Sequence, residues 1–220
     1  MSSTPPEWTI PLLLAESARL GPTLPPVFSW ESLCDYINRC DLGALRRHED
    51  LEALYIGAFH PLVRAEYGTM ENYLRGQLKW SAEEGEQERK KAVERGEGEW
   101  WKKNSVVNIR RNDWRYGVPA EVEHWVVWTP LPILTPERCE GTTTPWPKVD
   151  DLGVTGFTGG DGSLVGFGSG ENGPGSEIEA FVKERWPEDK WETAWFVNPP
   201  RLQSVKGLAH FHVMTRPKKP

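Results

Sequence analysis

Leu208-Ala209-His210-Phe211-His212-Val213-Met214-Thr215 is a short apolar run that carries two imidazoles two residues apart. Strands alternate faces with a period of two, so as a strand this run sends His210 and His212 to one side and Phe211 to the other. Two imidazoles on one sheet face form a polar pair that a core accepts only with hydrogen-bond partners. A second run, Glu123-His124-Trp125-Val126-Val127-Trp128, has the same character, and three of the chain's five histidines fall in these two runs. The second run follows Arg110-Arg111-Asn112-Asp113-Trp114-Arg115-Tyr116-Gly117, and the first follows Trp195-Phe196-Val197-Asn198-Pro199-Pro200 and Ser204-Val205. Strands are expected over 106–109, 122–128, 193–198 and 208–215, with Tyr116-Gly117-Val118-Pro119 as turn chemistry between the first two.

Helices precede these strands. Residues 1–27 hold Pro5, Pro6, Pro11, Pro22, Pro25 and Pro26 and read as an irregular arm. A helix starts at the N-cap candidate Ser29 and runs to about Leu42, and a second begins near Asp50, with Pro61 expected to kink or interrupt it before Tyr67-Gly68. Thr69 caps a third, which runs to Trp80. Residues 81–99 are charged and almost free of apolar side chains, which fits either a solvated helix or a hinge weakened by Gly85, Gly96 and Gly98. Residues 135–175 are rich in Gly, Thr and Pro and read as a long loop or insertion without phosphate-loop spacing. Helix returns at Ser176, which with Glu179 spells a capping box, and Pro187 ends it. A basic tail, 216–220, closes the chain. The order predicts an α+β fold, with N-terminal helices packed on a mainly antiparallel sheet from the second half, in one catalytic domain over 28–215.

Composition narrows the classes. The 220 residues carry a net charge of -6, which excludes a uniformly basic nucleic-acid footprint and leaves only local patches. No run of eighteen apolar residues is present, and the N-terminus lacks the pattern of a signal peptide. Cys34, Cys40 and Cys139 are odd in number and match no metal spacing, which fits a reducing, cytoplasmic setting with no metal and no cofactor. Twelve tryptophans pack a core or, in part, line a pocket that stacks on a base.

Several blocks carry a family resemblance. They are Trp30-x-x-Leu33 with Asp41-Leu42, Leu45 and Arg46; Tyr67-Gly68 and Tyr73; Leu78-x-Trp80; and Asn112-Asp113-Trp114-x-Tyr116-Gly117. His124-Trp125-Val126-Val127-Trp128 follows, then Trp195-Phe196-x-Asn198, Ser204-Val205 and His210-Phe211-His212-Val213. Together, over about 28–134 and 176–215, the chain resembles the fungal N-acetylglucosamine-induced protein family, formerly a domain of unknown function. Arg115 stands where that pattern has proline, and 135–175 is longer than expected. The resemblance implies an arginine-containing cyclodipeptide synthase of fungal secondary metabolism, an aminoacyltransferase that joins arginine from arginyl-tRNA to a second aminoacyl-tRNA's residue as a diketopiperazine. It assigns no residue a role, and it leaves self-association open.

The chemistry of that reaction selects candidates. His210 and His212, with His124 if its strand is a neighbour, suit the proton transfers of acyl transfer. Each is alternatively a structural histidine bonded to backbone. Ser204 is the nucleophile candidate for a covalent route, or else a turn cap. Asp113 and Glu123 suit a guanidinium fork, or else pair with the neighbouring arginines. Asn198 donates to a carbonyl or caps its strand, and Trp125, Trp128 and Trp195 are expected to hold the second side chain. Lys102, Lys103, Arg110, Arg111 and Arg115 with Arg201 and Lys206 form the expected tRNA patch, unless they are merely solvated. Asn198, Gln203-Ser204-Val205 and His210-x-His212 also loosely look like the histidine-triad nucleotide enzymes, although Met214 occupies the third histidine's position. A non-catalytic small-metabolite-binding protein is the third class.

Overall fold

The computed structural model describes residues 7–80, 107–129 and 131–218. The charged segment 81–99, Trp100, Trp101, Lys102 and Lys103 lie outside the described residues.

The N-terminal arm is not irregular throughout. Ile10–Leu20 form a helix, α1, whose N-cap Thr9 accepts from the Leu12 N–H and whose Pro11 sits in the first turn. A proline there costs no intrahelical hydrogen bond, so its presence does not argue against helix. Helix α2 spans Trp30–Asn38 and starts at Ser29, whose Oγ accepts from Ser32 N at 3.1 Å. It stops before Leu42, and Cys40 adopts a left-handed φ of 57°. Glu49–Tyr67 is one run built from α3 (Glu49–Leu54), a π-helical turn at Tyr55–Phe59, and α4 (His60–Tyr67). The α-helical pattern is thus interrupted just before Pro61 and continues beyond it, as expected. The wider turn relieves the clash that its ring would make with the carbonyl four residues back. Thr69 caps α5, Met70–Leu78, as the sequence predicts.

Five strands make one antiparallel sheet in the order β1-β2-β5-β4-β3. They are β1 (Asn108–Arg111), β2 (Glu123–Thr129), β3 (Val154–Thr158), β4 (Trp191–Val197) and β5 (Ala209–Pro217). The fold is α+β, with the helices first and the sheet in the second half. β2 lies beside β5 in a register that pairs Val126 with His212 and Trp128 with His210. One sheet face (Val127, Trp195, Val197, Phe211, Val213) packs on Ile178 and Val182 of the helix Ser176–Arg185. The other packs Ala194, Phe196 and Met214 on Leu33, Cys34 and Ile37 of α2. Helices α1, α3, α4 and α5 gather around Phe59, Tyr73 and Trp114 beside that second face.

The Gly-rich stretch 135–175 is more than a loop. It holds the short helices Pro136–Cys139 and Trp146–Leu152 and the edge strand β3. Gly156 on β3 pairs with Trp195, and a Cβ there would stand 2.2 Å from the indole Cζ2. The glycine hides a strand from a propensity reading because it makes room for a tryptophan. The expected capping box does not form. Gly175 is the N-cap residue of the helix Ser176–Arg185, and the Glu179 carboxylate accepts instead from Gly170 N at 2.7 Å. Nor is Arg216 part of a free tail, since it lies in β5 and binds Glu192 at 2.8 Å.

Arg115, expected on a tRNA surface, is a structural clamp. Its Nη2 donates to the carbonyls of Val118 (3.1 Å), Pro119 (2.7 Å) and Val122 (2.9 Å), fastening the turn into β2. Charge-assisted bonds are the strong ones, and loss of the shared donor takes a partner from three carbonyls, of which Pro119 O keeps the Val122 N–H. Arg115→Met is therefore expected to cost about 2–4 kcal/mol in urea unfolding. Gly156→Ala is expected to cost about 3 kcal/mol through overpacking, and adding Trp195→Phe to it should recover part of the loss in a double-mutant cycle.

Candidate functional site

The register of β2 and β5 brings three imidazoles together. His124 Nε2 lies 2.9 Å from His212 Nδ1, and the His210 and His212 rings are 5.4 Å apart at 79°. All three are buried. Phe196 stacks on His212 at 4.8 Å, and Trp128 lies 4.5 Å from His210, so the rings sit between aromatic walls. His210 and His212 border a cavity of about 350 Å³ between the sheet and the α3–α5 helices. His124 stands behind His212, outside the cavity lining.

The hydrogen bonds set the tautomers. Tyr116 N–H donates to His124 Nδ1 at 3.2 Å, so that nitrogen keeps its lone pair and the neutral ring carries its hydrogen on Nε2. This hydrogen is donated to His212 Nδ1, which places the His212 hydrogen on Nε2. His210 has the opposite arrangement: its Nδ1–H donates to Leu208 O at 2.8 Å, leaving Nε2 as an acceptor. The pair therefore consists of one N–H donor, His212 Nε2, and one basic nitrogen, His210 Nε2. Burial pushes His210 below its ordinary pKa of 6.5, against the opposing pull of the Leu208 carbonyl. Burial first, then repulsion from the protonated forms of His124 and His210 and from the Arg47 cation, holds His212 well below that value. His124 is likewise well below it through burial and the cations Arg47 and Arg115. All three are neutral at pH 7.

Of the expected residues, His210, His212, Ser204, Asn198, Asp113, Trp128, Arg110 and Arg111 border this cavity. Ser204 is exposed, and among the described residues no hydrogen bond joins it to either histidine. Partial burial raises the Asp113 carboxyl above its ordinary pKa, with Arg110 working against the rise. Glu123, by contrast, is spent on Arg111 and on Trp125 Nε1, which it accepts at 3.2 Å. Trp125 and Trp195 do not reach the cavity. Trp125 packs toward Trp186 on the opposite sheet face, and Trp195 is fully buried there. Arg201 turns to Asp151, donating to its carbonyl at 3.3 Å. Lys206 is exposed beside a second, smaller cavity.

Several cavity residues carry no sequence signal of their own. Arg47 lies 3.9 Å over the Tyr55 ring, donates to Trp114 O at 3.0 Å and binds Glu52 at 2.9 Å. Tyr55, Ile56, Phe59 and His60 face the cavity from the π turn and the residue after it, one helical face whose apolar and aromatic side chains read from sequence as core. Asn112 Oδ1 accepts from Trp114 N at 2.9 Å, and its amide nitrogen lies against the His124 ring, 3.2 Å from Nε2 and 3.5 Å from Nδ1, facing the ring rather than one nitrogen. The Asn112-Asp113-Trp114 block was a visible signal for that loop.

No group of three or more potential metal ligands, and no helix long and apolar enough to cross a membrane, occurs among the described residues. All three cysteines are free and buried, and burial pushes the Cys34 thiol up to about 12.

Comparison with known proteins places this arrangement in a family. The chain is similar to the uncharacterized protein YPL067C of Saccharomyces cerevisiae, 23% identical over 194 residues that cover 85% of this chain and 78% of the relative. A solved structure, the crystal structure of HTC1, superposes with a TM-score of 0.50 at 20% identity and covers 86% of this chain and 85% of that one, which speaks for a shared fold. Residues 29–156 and 166–216 match the family described as "Protein of unknown function (DUF3605)". Those segments hold every residue of the two-histidine cavity, and the chain belongs to the DUF3605 family.

Proposed function

We propose that the chain is an aminoacyl-tRNA-dependent synthase of a cyclodipeptide, cyclo(Arg-Xaa). The observation that carries this reading is the pair of oppositely set imidazoles, His210 with a free acceptor and His212 with a free donor, on one cavity with a carboxylate at its edge. Acyl transfer asks for both functions at once. The neutral α-amine of one aminoacyl-tRNA attacks the ester carbonyl of the other. His210 Nε2 takes the amine proton and returns it to the leaving ribose oxygen, so the proton count closes. His212 Nε2–H donates to the tetrahedral oxyanion, a role for a neutral imidazole that needs no net proton transfer. A second round, with the dipeptide's free amine attacking the remaining ester, closes the ring. Two ester bonds break, two amide bonds form and two tRNAs leave. Asp113 offers the arginyl guanidinium a bidentate acceptor, and Arg110 at the same edge meets the tRNA's phosphates.

A nucleotide-processing reading keeps one supporting observation, since Asn198, Ser204, His210 and His212 border the same cavity. Met214, fully buried, stands at the third histidine's position and has no nucleophilic nitrogen.

Purified protein with arginine, a mixture of amino acids, tRNA and synthetases is expected to yield an arginine-containing diketopiperazine by mass spectrometry. Ribonuclease treatment should abolish it. Product that survives ribonuclease would sink the tRNA route, and hydrolysis of a nucleoside phosphoramidate without diketopiperazine would favour the other reading. His210→Ala should lower turnover about 10²–10⁴-fold and His212→Ala about 10²–10³-fold, with folding checked by circular dichroism.

Both roles require neutral rings. Burial lowers the His210 pKa, so kcat/KM, once corrected for the fraction of substrate with a neutral α-amine, should hold as pH falls through 6.5 and decline only below it. Stability has the same sign: below 6.5 the unfolded chain binds protons that the folded rings refuse, and unfolding free energy falls with pH until the folded pKa values are reached. His212→Phe should flatten that fall, as read from urea midpoints between pH 7 and pH 5.

A further inference from the structure

His210 and Asn198 border two cavities. Besides the larger one, both line a cavity of about 210 Å³ at the end of the sheet where β4 stops and β5 begins. Ile133, Leu134, Trp146, Val149, Val197 and Ala209 form the apolar side of this second cavity, and Asn198, Gln203, Lys206 and His210 its polar side. No carboxylate borders it, whereas Asp113 borders the larger one, where Arg47 and Arg111 are paired with Glu52 and Glu123 and Arg110 lies near Asp113. Lys206, exposed, stands beside it and opposes a cationic side chain. The two spaces thus differ in chemistry and share His210 and Asn198 as wall residues.

We infer that the smaller cavity is the side-chain pocket for the second aminoacyl substrate, and that it selects an uncharged apolar residue of phenylalanine or leucine size. The inference rests on the two-substrate reading above and extends it to the identity of Xaa. Size fits, because an apolar protein cavity of about 150 Å³ already accommodates a benzene ring. Charge fits as well: a guanidinium would meet Lys206 without a counter-charge, so arginine is directed to the cavity with Asp113. His210 and Asn198 form the partition between the pockets. An amine delivered from one side and an ester from the other therefore meet at the wall that His210 and Asn198 share, the proximity that joining two amino acids demands.

The test has two arms. In the first, L-phenylalaninamide is titrated at pH 8 into labelled protein and followed by amide spectra. Saturable shifts are expected at Val197 and Ala209, L-argininamide should leave those signals in place, and Ala209→Leu should abolish the response. Ala209 is half-buried at the cavity wall, and an unchanged melting curve shows the variant folded. Absence of saturable shifts up to the millimolar range, or shifts that persist in the folded variant, would overturn the assignment. In the second arm, arginyl-tRNA is paired with each of a panel of second aminoacyl-tRNAs. The wild type should favour phenylalanine or leucine, and Ala209→Leu should move the product ratio toward alanine by at least about tenfold. A dominant product with a charged Xaa or with glycine would overturn the pocket while leaving the synthase reading intact. Phenylalaninamide binding at Val197 and Ala209 with no diketopiperazine from any pair would instead overturn the synthase reading and uphold the pocket.

Discussion

The hydrogen bond from His124 Nε2 to His212 Nδ1 organises everything around the cavity. It exists because β2 and β5 are adjacent and antiparallel, in a register that places His124 opposite Met214 and diagonal to His212. Its polarity is imposed from outside the strands by the Tyr116 N–H, a backbone donor that cannot reverse. A buried imidazole held in this way has one tautomer, and the ring beyond it inherits the other half of the choice. Arg115 contributes at one remove, since its grip on Val118, Pro119 and Val122 fixes the turn from which Tyr116 and His124 approach each other.

Neutrality is the second consequence. Aromatic rings from Phe196, Trp128 and Tyr116 exclude water from the imidazoles, and Arg47, tied to Glu52 and to Trp114 O, adds an unfavourable positive charge nearby. Desolvation and like charge act in the same direction on His212, so its cation is disfavoured twice. The cavity is consequently a place where proton positions are dictated by hydrogen-bond geometry rather than by bulk pH. The three thiols, buried and uncharged, stand apart from it.

Some of the site was legible in the residues. Period-two alternation put His210 and His212 on one face, whereas His124 joins them only because β2 pairs with β5. Applied consistently, alternation also excluded Trp125: a residue next to His124 must point the other way, and Trp125 does, toward Trp186. Trp195 obeys the same parity, opposite Val213 on β5, and belongs to the far core. Other features had no local signal. Gly156 is a strand residue because an indole on the neighbouring strand needs its missing Cβ, and Pro11 starts a helix because Thr9 precedes it. Arg115 reads as surface charge until the carbonyls it serves, three to seven residues along the chain, fold back onto it.

Helix caps at Ser29 and Thr69, the strand runs around 123 and 210, and the α+β order were all written in local pattern, because caps and alternation depend on neighbours within a few residues. Strand adjacency, tautomers and the partition between two cavities were not. They follow from which strands pair and which loop closes over them, contacts between residues about ninety positions apart such as His124 and His212. Chemistry at this site depends on the direction of single hydrogen bonds, and direction is a property of three-dimensional neighbours that composition and spacing do not encode.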